Sequence, residues 1–83
     1  MEMLEQYRIR DKYDQKQVIQ QWEKLMGAPI ARRTSKIFFK DEKMFVKLTS
    51  APLKNELMMA KSRILELLRE EFVPGLVEDI IFL

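Results

Sequence analysis

Residues 36–48 read Lys36-Ile37-Phe38-Phe39-Lys40-Asp41-Glu42-Lys43-Met44-Phe45-Val46-Lys47-Leu48, and their pattern decides the fold. Side chains of two kinds alternate with a period of two, the spacing of a strand whose faces meet different surroundings. Two strands result, Lys36 to Lys40 and Lys43 to Leu48, joined across Asp41-Glu42. With that tip, Phe39 opposes Met44 and Ile37 opposes Val46 on one face. On the other, Phe38 opposes Phe45, Lys40 opposes Lys43 and Lys36 opposes Lys47. The tip has none of the Asn-Gly or Asp-Gly chemistry that two-residue connections favour, so a four-residue loop with the same pairing stays open.

Working outward, Val18, Trp22 and Leu25 recur at steps of four and three, widened by Ile19 and Met26. This predicts an amphipathic helix from Asp14 to Met26, with Asp14 as N-cap. Gly27 and Pro29 end it, and Ala28 to Arg33 is a connector. Further upstream, Met3, Leu4 and Tyr7 suggest a short helix within an N-terminal extension, residues 1–13. Downstream, Ser50 caps a helix of about twenty residues with Pro52 in its first turn and an apolar stripe of Leu53, Leu57, Ala60, Ile64, Leu68 and Phe72. Pro74-Gly75 stops it, and Val77 to Leu83 reads as a last strand. The order helix, strand, strand, helix, strand defines an α+β domain with a split βαβ unit, the crossover right-handed if the last strand runs parallel to one of the pair. At 83 residues the whole chain, 1–83, is one small domain.

Composition narrows the function. Histidine and cysteine are absent, which removes the commonest general base, soft nucleophile and transition-metal ligands. The two glycines, Gly27 and Gly75, form no phosphate-binding loop, and Ser35, Ser50 and Ser62 have no partner to activate them. The expectation is a protein that is not an enzyme and takes no metal, cofactor or small-molecule substrate. Acids near the N-terminus and the lack of a long apolar run predict a cytoplasmic protein without a membrane span.

The net charge of +2 hides an uneven distribution. Residues 1–27 hold five bases and five acids, residues 28–65 nine bases and three acids, and residues 66–83 one base and five acids. The basic block includes the non-core face of the hairpin: Lys36, Phe38 and Lys40 beside Lys43, Phe45 and Lys47. Like charges directly opposed across a ladder cost roughly 0.2–1 kcal/mol per pair, so folding gives no reason to choose them. A polyanion does, because phosphates neutralise the repulsion and an exposed ring stacks on an unpaired base. Arg32, Arg33, Lys54 and Lys61 extend the candidate nucleic-acid-binding set. A second reading stays open here: lysines on edge strands discourage aggregation, and Phe38 and Phe45 are core residues covered by the first helix. Trp22, within an apolar stripe, is a packing residue. The acids from Glu66 to Asp79 form a solvated surface or one that meets a basic partner.

The run Trp22-Glu23-Lys24-Leu25-Met26-Gly27, then Ile30-Ala31, the lysine-rich hairpin, Ser50-Ala51-Pro52-Leu53-Lys54-Asn55-Glu56-Leu57 and a closing Asp79-Ile80-Ile81-Phe82 together resemble the DciA family of bacterial replicative-helicase loaders. The resemblance covers roughly residues 15–83. It implies a KH-like, two-layer domain with helices on one face of a three-stranded sheet. It also implies DNA binding and a role in recruiting or loading the replicative helicase DnaB in the nucleoid. Two departures stand out: Asp41-Glu42 where many members carry glycine in the hairpin turn, and the flexible tail of many longer members, which this sequence does not show and which bears on helicase engagement more than on nucleic-acid binding. A KH module also clamps its strand with a G-x-x-G loop, which Gly27-Ala28-Pro29-Ile30 does not complete. DNA contact then falls to the hairpin, with single strands or forks preferred because the rings need unpaired bases. An RNA-binding module of the same fold, or a protein-interaction module using Met58-Met59 or the acidic C-terminal third, are the alternatives.

Overall fold

A computed structural model describes residues 14–83; the expected helix near the N-terminus lies outside them. The chain runs α1 (Gln15–Gln20), α2 (Trp22–Met26), α3 (Ala28–Arg32), β1 (Thr34–Lys40), β2 (Lys43–Leu48), α4 (Ala51–Met59), α5 (Lys61–Glu71) and β3 (Asp79–Phe82). The strands form one sheet in the order β1-β2-β3, with β1 and β2 antiparallel and β3 parallel to β2. The fold is α+β, as the alternating and helical periods predict.

Three helical expectations are corrected. The helix from Asp14 to Met26 is interrupted at Gln21, although the Gln21 N–H still donates to Gln17 O at 2.9 Å. The connector after Gly27 is itself helical, because Pro29 both stops α2 and supplies the preset φ of a new first turn. Gly27 makes the corner between them at φ +93°, a left-handed value that glycine adopts without a Cβ penalty. The long second helix divides at Ala60, where φ −92° and ψ 7° leave the α region. Its start is as expected: the Ser50 hydroxyl accepts from Leu53 N at 3.3 Å, satisfying one orphan donor. The last strand is shorter than Val77 to Leu83, since Val77 enters the core before the ladder begins.

Alternation then sorts the side chains. Met44, Val46, Ile80 and Phe82 point to one face and are buried, joined by Val18 and Trp22 from the first helices, Leu57 from α4, Ile64 and Leu68 from α5, and Phe72 and Val77. All the helices that contribute to this core pack on that face, which leaves the opposite face of the sheet without a helical cover among the described residues. A bulge at Ser35 sharpens the division. Thr34 pairs with Leu48 whereas Lys36 pairs with Lys47, so β1 holds one extra residue. That extra residue turns Thr34 from the lysine face to the core face, where its hydroxyl accepts from Trp22 Nε1 at 3.0 Å and donates to Ile30 O at 2.9 Å.

Candidate nucleic-acid interface

The hairpin register matches the sequence reading at all five expected pairs: Lys36 with Lys47, Ile37 with Val46, Phe38 with Phe45, Phe39 with Met44 and Lys40 with Lys43. The connection is the tight one, Asp41 and Glu42 alone. Asp41 takes φ +56°, which a short side chain able to hydrogen-bond locally tolerates better than most. Two contacts brace the turn: Gln15 Nε2 donates to Asp41 O at 2.7 Å, and Glu78 N–H donates to Glu42 O at 2.8 Å.

The outer face carries three rows across the strands. Phe38, Phe45 and Ile81 form a central apolar rib, Ile81 being in register with Phe45. Lys36 and Lys47 flank it on one side; Lys40, Lys43 and Asp79 flank it on the other. Four residues separate the lysine rows along a strand, about 13 Å. All four lysines are exposed, while the three rib residues are half-buried and lie outside the core cluster. Phe38 and Phe45 are therefore not core residues under a helix. Their rings stack on each other, centroids 4.9 Å apart and planes 4° from parallel, and Lys36 Nζ lies 5.3 Å from the Phe38 centroid.

The other candidate cations fall elsewhere. Arg32 and Arg33 are exposed at the end of α3, where the Lys36–Lys47 end of the hairpin begins; Arg33 Nη1 makes a long contact to Pro29 O, 3.4 Å. Lys54 sits on α4 in the helix layer, away from the lysine rows. Lys61 opens α5 and holds Asp79 Oδ1 at 2.7 Å, so its charge is matched. The same carboxylate oxygen accepts from Ile80 N at 2.8 Å. The Lys61 hydrogen bond, then the Ile80 amide, hold the Asp79 carboxyl below its ordinary value against the opposing effect of desolvation, with the charges of Lys61 and Lys43 adding attraction. Asp79 and Ile81 were not among the candidates. Alternation along the last strand separates them from Ile80 and Phe82, but only the pairing of β3 with β2 places them beside the lysines.

Among the described residues no group of three or more His, Cys, Asp and Glu side chains could hold a metal ion, and no helix is long and apolar enough to cross a membrane. An open cleft of about 350 Å³ runs between Ile19, Trp22 and Ala31 and the β1 edge at Thr34 to Ile37.

The family model described as "Dna[CI] antecedent, DciA" matches residues 1–82. A protein of Corynebacterium glutamicum (strain R) described as "UPF0232 protein" is 32% identical over 63 residues, covering 76% of this chain and 35% of that protein. The chain thus spans about a third of the length of that curated relative. No solved structure matches.

Proposed function

Because the chain belongs to the DciA family, we propose that it is a non-catalytic adaptor in bacterial DNA replication, which binds DNA through the outer sheet face and helps recruit or load the replicative helicase. The observation that carries the DNA contact is the pairing of Lys36 with Lys47 and Lys40 with Lys43, exposed and in no ion pair among the described residues, around a rib of stacked rings. An arrangement that costs folding free energy and lies open to solvent is the kind a polyanion relieves. The rings favour unpaired bases, hence single strands or forks over plain duplex. This reading puts the protein in the cytoplasm, at the nucleoid, and gives it no cofactor and no small-molecule substrate.

The test is a low-salt titration of single-stranded DNA with the Lys36→Glu, Lys47→Glu double variant. Affinity should collapse while the far-UV spectrum and thermal midpoint stay near those of the parent; an unchanged affinity removes the site. Matched RNA and DNA oligonucleotides in direct competition decide between DNA and an RNA-binding role for the same face.

A second surface supports the protein-partner half of the proposal. Met58 and Met59 end α4 with 53% and 85% of their surface exposed, beside a pocket of about 150 Å³ lined by Met58, Lys61, Ile80, Ile81 and Phe82. Flexible thioethers suit a docking surface that must adapt to a partner. Loss of helicase capture, with DNA affinity intact, is expected for Met59→Glu; retained capture counts against this surface.

A further inference from the structure

The nucleic-acid reading leaves open how a strand crosses the outer face, and the three strands of the sheet do not contribute equally to it. On this face β1 supplies Lys36, Phe38 and Lys40, and β2 supplies Lys43, Phe45 and Lys47, so its charges there are all positive. β3 supplies Asp79 and Ile81 in register with Lys43 and Phe45. The ladder then ends on Leu83, whose N–H donates to Val46 O and whose carbonyl accepts from Leu48 N. The β3 margin is therefore acidic at one end and apolar along the rest.

We propose that Asp79, fixed by Lys61 and the Ile80 amide, fences the β3 side of the sheet against phosphates, so that a nucleic-acid strand follows the hairpin axis over β1 and β2. Resting on the DNA-binding reading above, this track starts at Lys40 and Lys43, passes Lys36 and Lys47, and leaves toward Arg32 and Arg33. Its cations recur along the hairpin, Lys40 and Lys43 at one end and Lys36 and Lys47 at the other with the ring pair between them, and the two arginines prolong the row beyond the end of the hairpin. A path across the sheet along the rib would instead bring phosphates against a carboxylate. Asp79 is oriented by two contacts to one oxygen, at 2.7 Å from Lys61 Nζ and at 2.8 Å from Ile80 N. The same contacts stabilise its ionised form, so the fence is charged at neutral pH.

Lys61 has a different role under this proposal from the one its charge alone suggests. It is not a phosphate contact but the residue that positions the fence and limits its reach. Removing Lys61 leaves the carboxylate uncompensated and strengthens repulsion; removing the carboxylate frees an additional cation beside the track.

The experiment is a fluorescence-anisotropy titration, at low salt, of a labelled single-stranded oligothymidylate of roughly twenty nucleotides, long enough to cover the face. Asp79→Asn keeps the shape and the oxygen that accepts from Ile80 N. Its affinity should rise about two-fold, the size expected when one like charge roughly 8 Å from a phosphate in water is removed, and the gain should shrink as salt is added. Lys61→Met should weaken binding. Unchanged or weaker binding by Asp79→Asn, or tighter binding by Lys61→Met, overturns the proposal. Amide chemical-shift mapping on the parent protein gives an answer that depends on no variant. Shifts concentrated at residues 36–47 and at Arg32-Arg33 support the track, and equal shifts at Asp79, Ile81 and Leu83 overturn it. Failure of the face and failure of the fence are distinguishable. If Lys36→Glu with Lys47→Glu leaves binding intact, the DNA-binding face itself is wrong; if that variant loses binding but Asp79→Asn changes nothing, only the fence fails.

Discussion

The rings of Phe38 and Phe45 lie 4.9 Å apart and 4° from parallel on the sheet face that no core residue shares. Directly opposed rings of this kind contribute roughly 0.2–1 kcal/mol to a hairpin. A flat pair at the surface also offers a stack that an unpaired base can extend, whereas a duplex has already stacked its bases and presents phosphates. Phe45→Ala should therefore weaken single-stranded DNA by about 1–3 kcal/mol and duplex by much less. Titrations of the two forms at one salt concentration decide it, and equal losses count against stacking. Phe45→Leu, which keeps the rib apolar, separates loss of the ring from loss of fold.

Lys47 faces Lys36 across the ladder, so its replacement should affect folding and binding in opposite directions. Lys47→Glu converts a repulsive pair into an attractive one and should stabilise the domain by roughly 0.2–1 kcal/mol. DNA affinity should fall, and the dependence of log K on log salt should flatten by about 0.7 or more as a phosphate contact is lost. Urea unfolding and salt-dependent titration measure the two effects. A variant less stable than its parent would show that the lysine pair is not strained.

The hairpin was legible because its two faces differ in every pair: a slip of one residue would have put lysines in the core and Ile37, Phe39, Met44 and Val46 in water. The candidate face on β1 and β2 was legible for the same reason. What stayed hidden depended on tertiary placement. Nothing in Met59-Ala60-Lys61 breaks a helix by propensity, yet α4 and α5 divide at Ala60. Lys61 looks like one more surface cation until β3 brings Asp79 to it. Thr34 and Ser35 carry no periodicity of their own, so neither the bulge nor the hydroxyl beneath Trp22 could be anticipated.

That hydroxyl is testable. Trp22 is buried, and its indole N–H finds an acceptor in Thr34 Oγ1. Thr34→Val keeps the shape and removes the acceptor, leaving a buried donor unpaired at a cost of about 1–3 kcal/mol. Thr34→Ser should cost less. Trp22→Phe with Thr34→Val should be less destabilising than the two single changes added together, because neither polar group then remains. Denaturant midpoints for the four proteins close the cycle, and strict additivity would deny the coupling.

At Asp41, φ is +56° in a two-residue connection, and its carbonyl is the acceptor for Gln15. Asp41→Gly removes the side-chain penalty of that conformation while keeping the carbonyl. The gain is partly offset by the entropy glycine loses on folding, so the net effect should lie within about 1 kcal/mol of zero. Asp41→Val forces a β-branched residue into the left-handed region and should destabilise by about 1–2 kcal/mol. Thermal midpoints in that order, with Gly at or above the parent and Val clearly below, are expected. A neutral Val variant would mean that the turn relaxes into another loop.

Asp79 ties a small part of the domain's stability to pH. Its folded pKa is lowered from 3.8, first by the Lys61 hydrogen bond and then by the Ile80 amide, so the folded state prefers the ionised form. A depressed carboxyl contributes stability above its unfolded pKa and loses it as pH falls through the folded one. The side chain is 41% exposed, and solvent screens the pair, which limits the contribution to less than about 1 kcal/mol. The parent should therefore exceed Asp79→Asn in stability near neutral pH, with the gap closing below pH 3.8 and narrowing in high salt. Paired urea titrations from about pH 7 down to about pH 2.5 measure the gap, and one that stays constant across that range would show that the Lys61–Asp79 contact contributes nothing through charge.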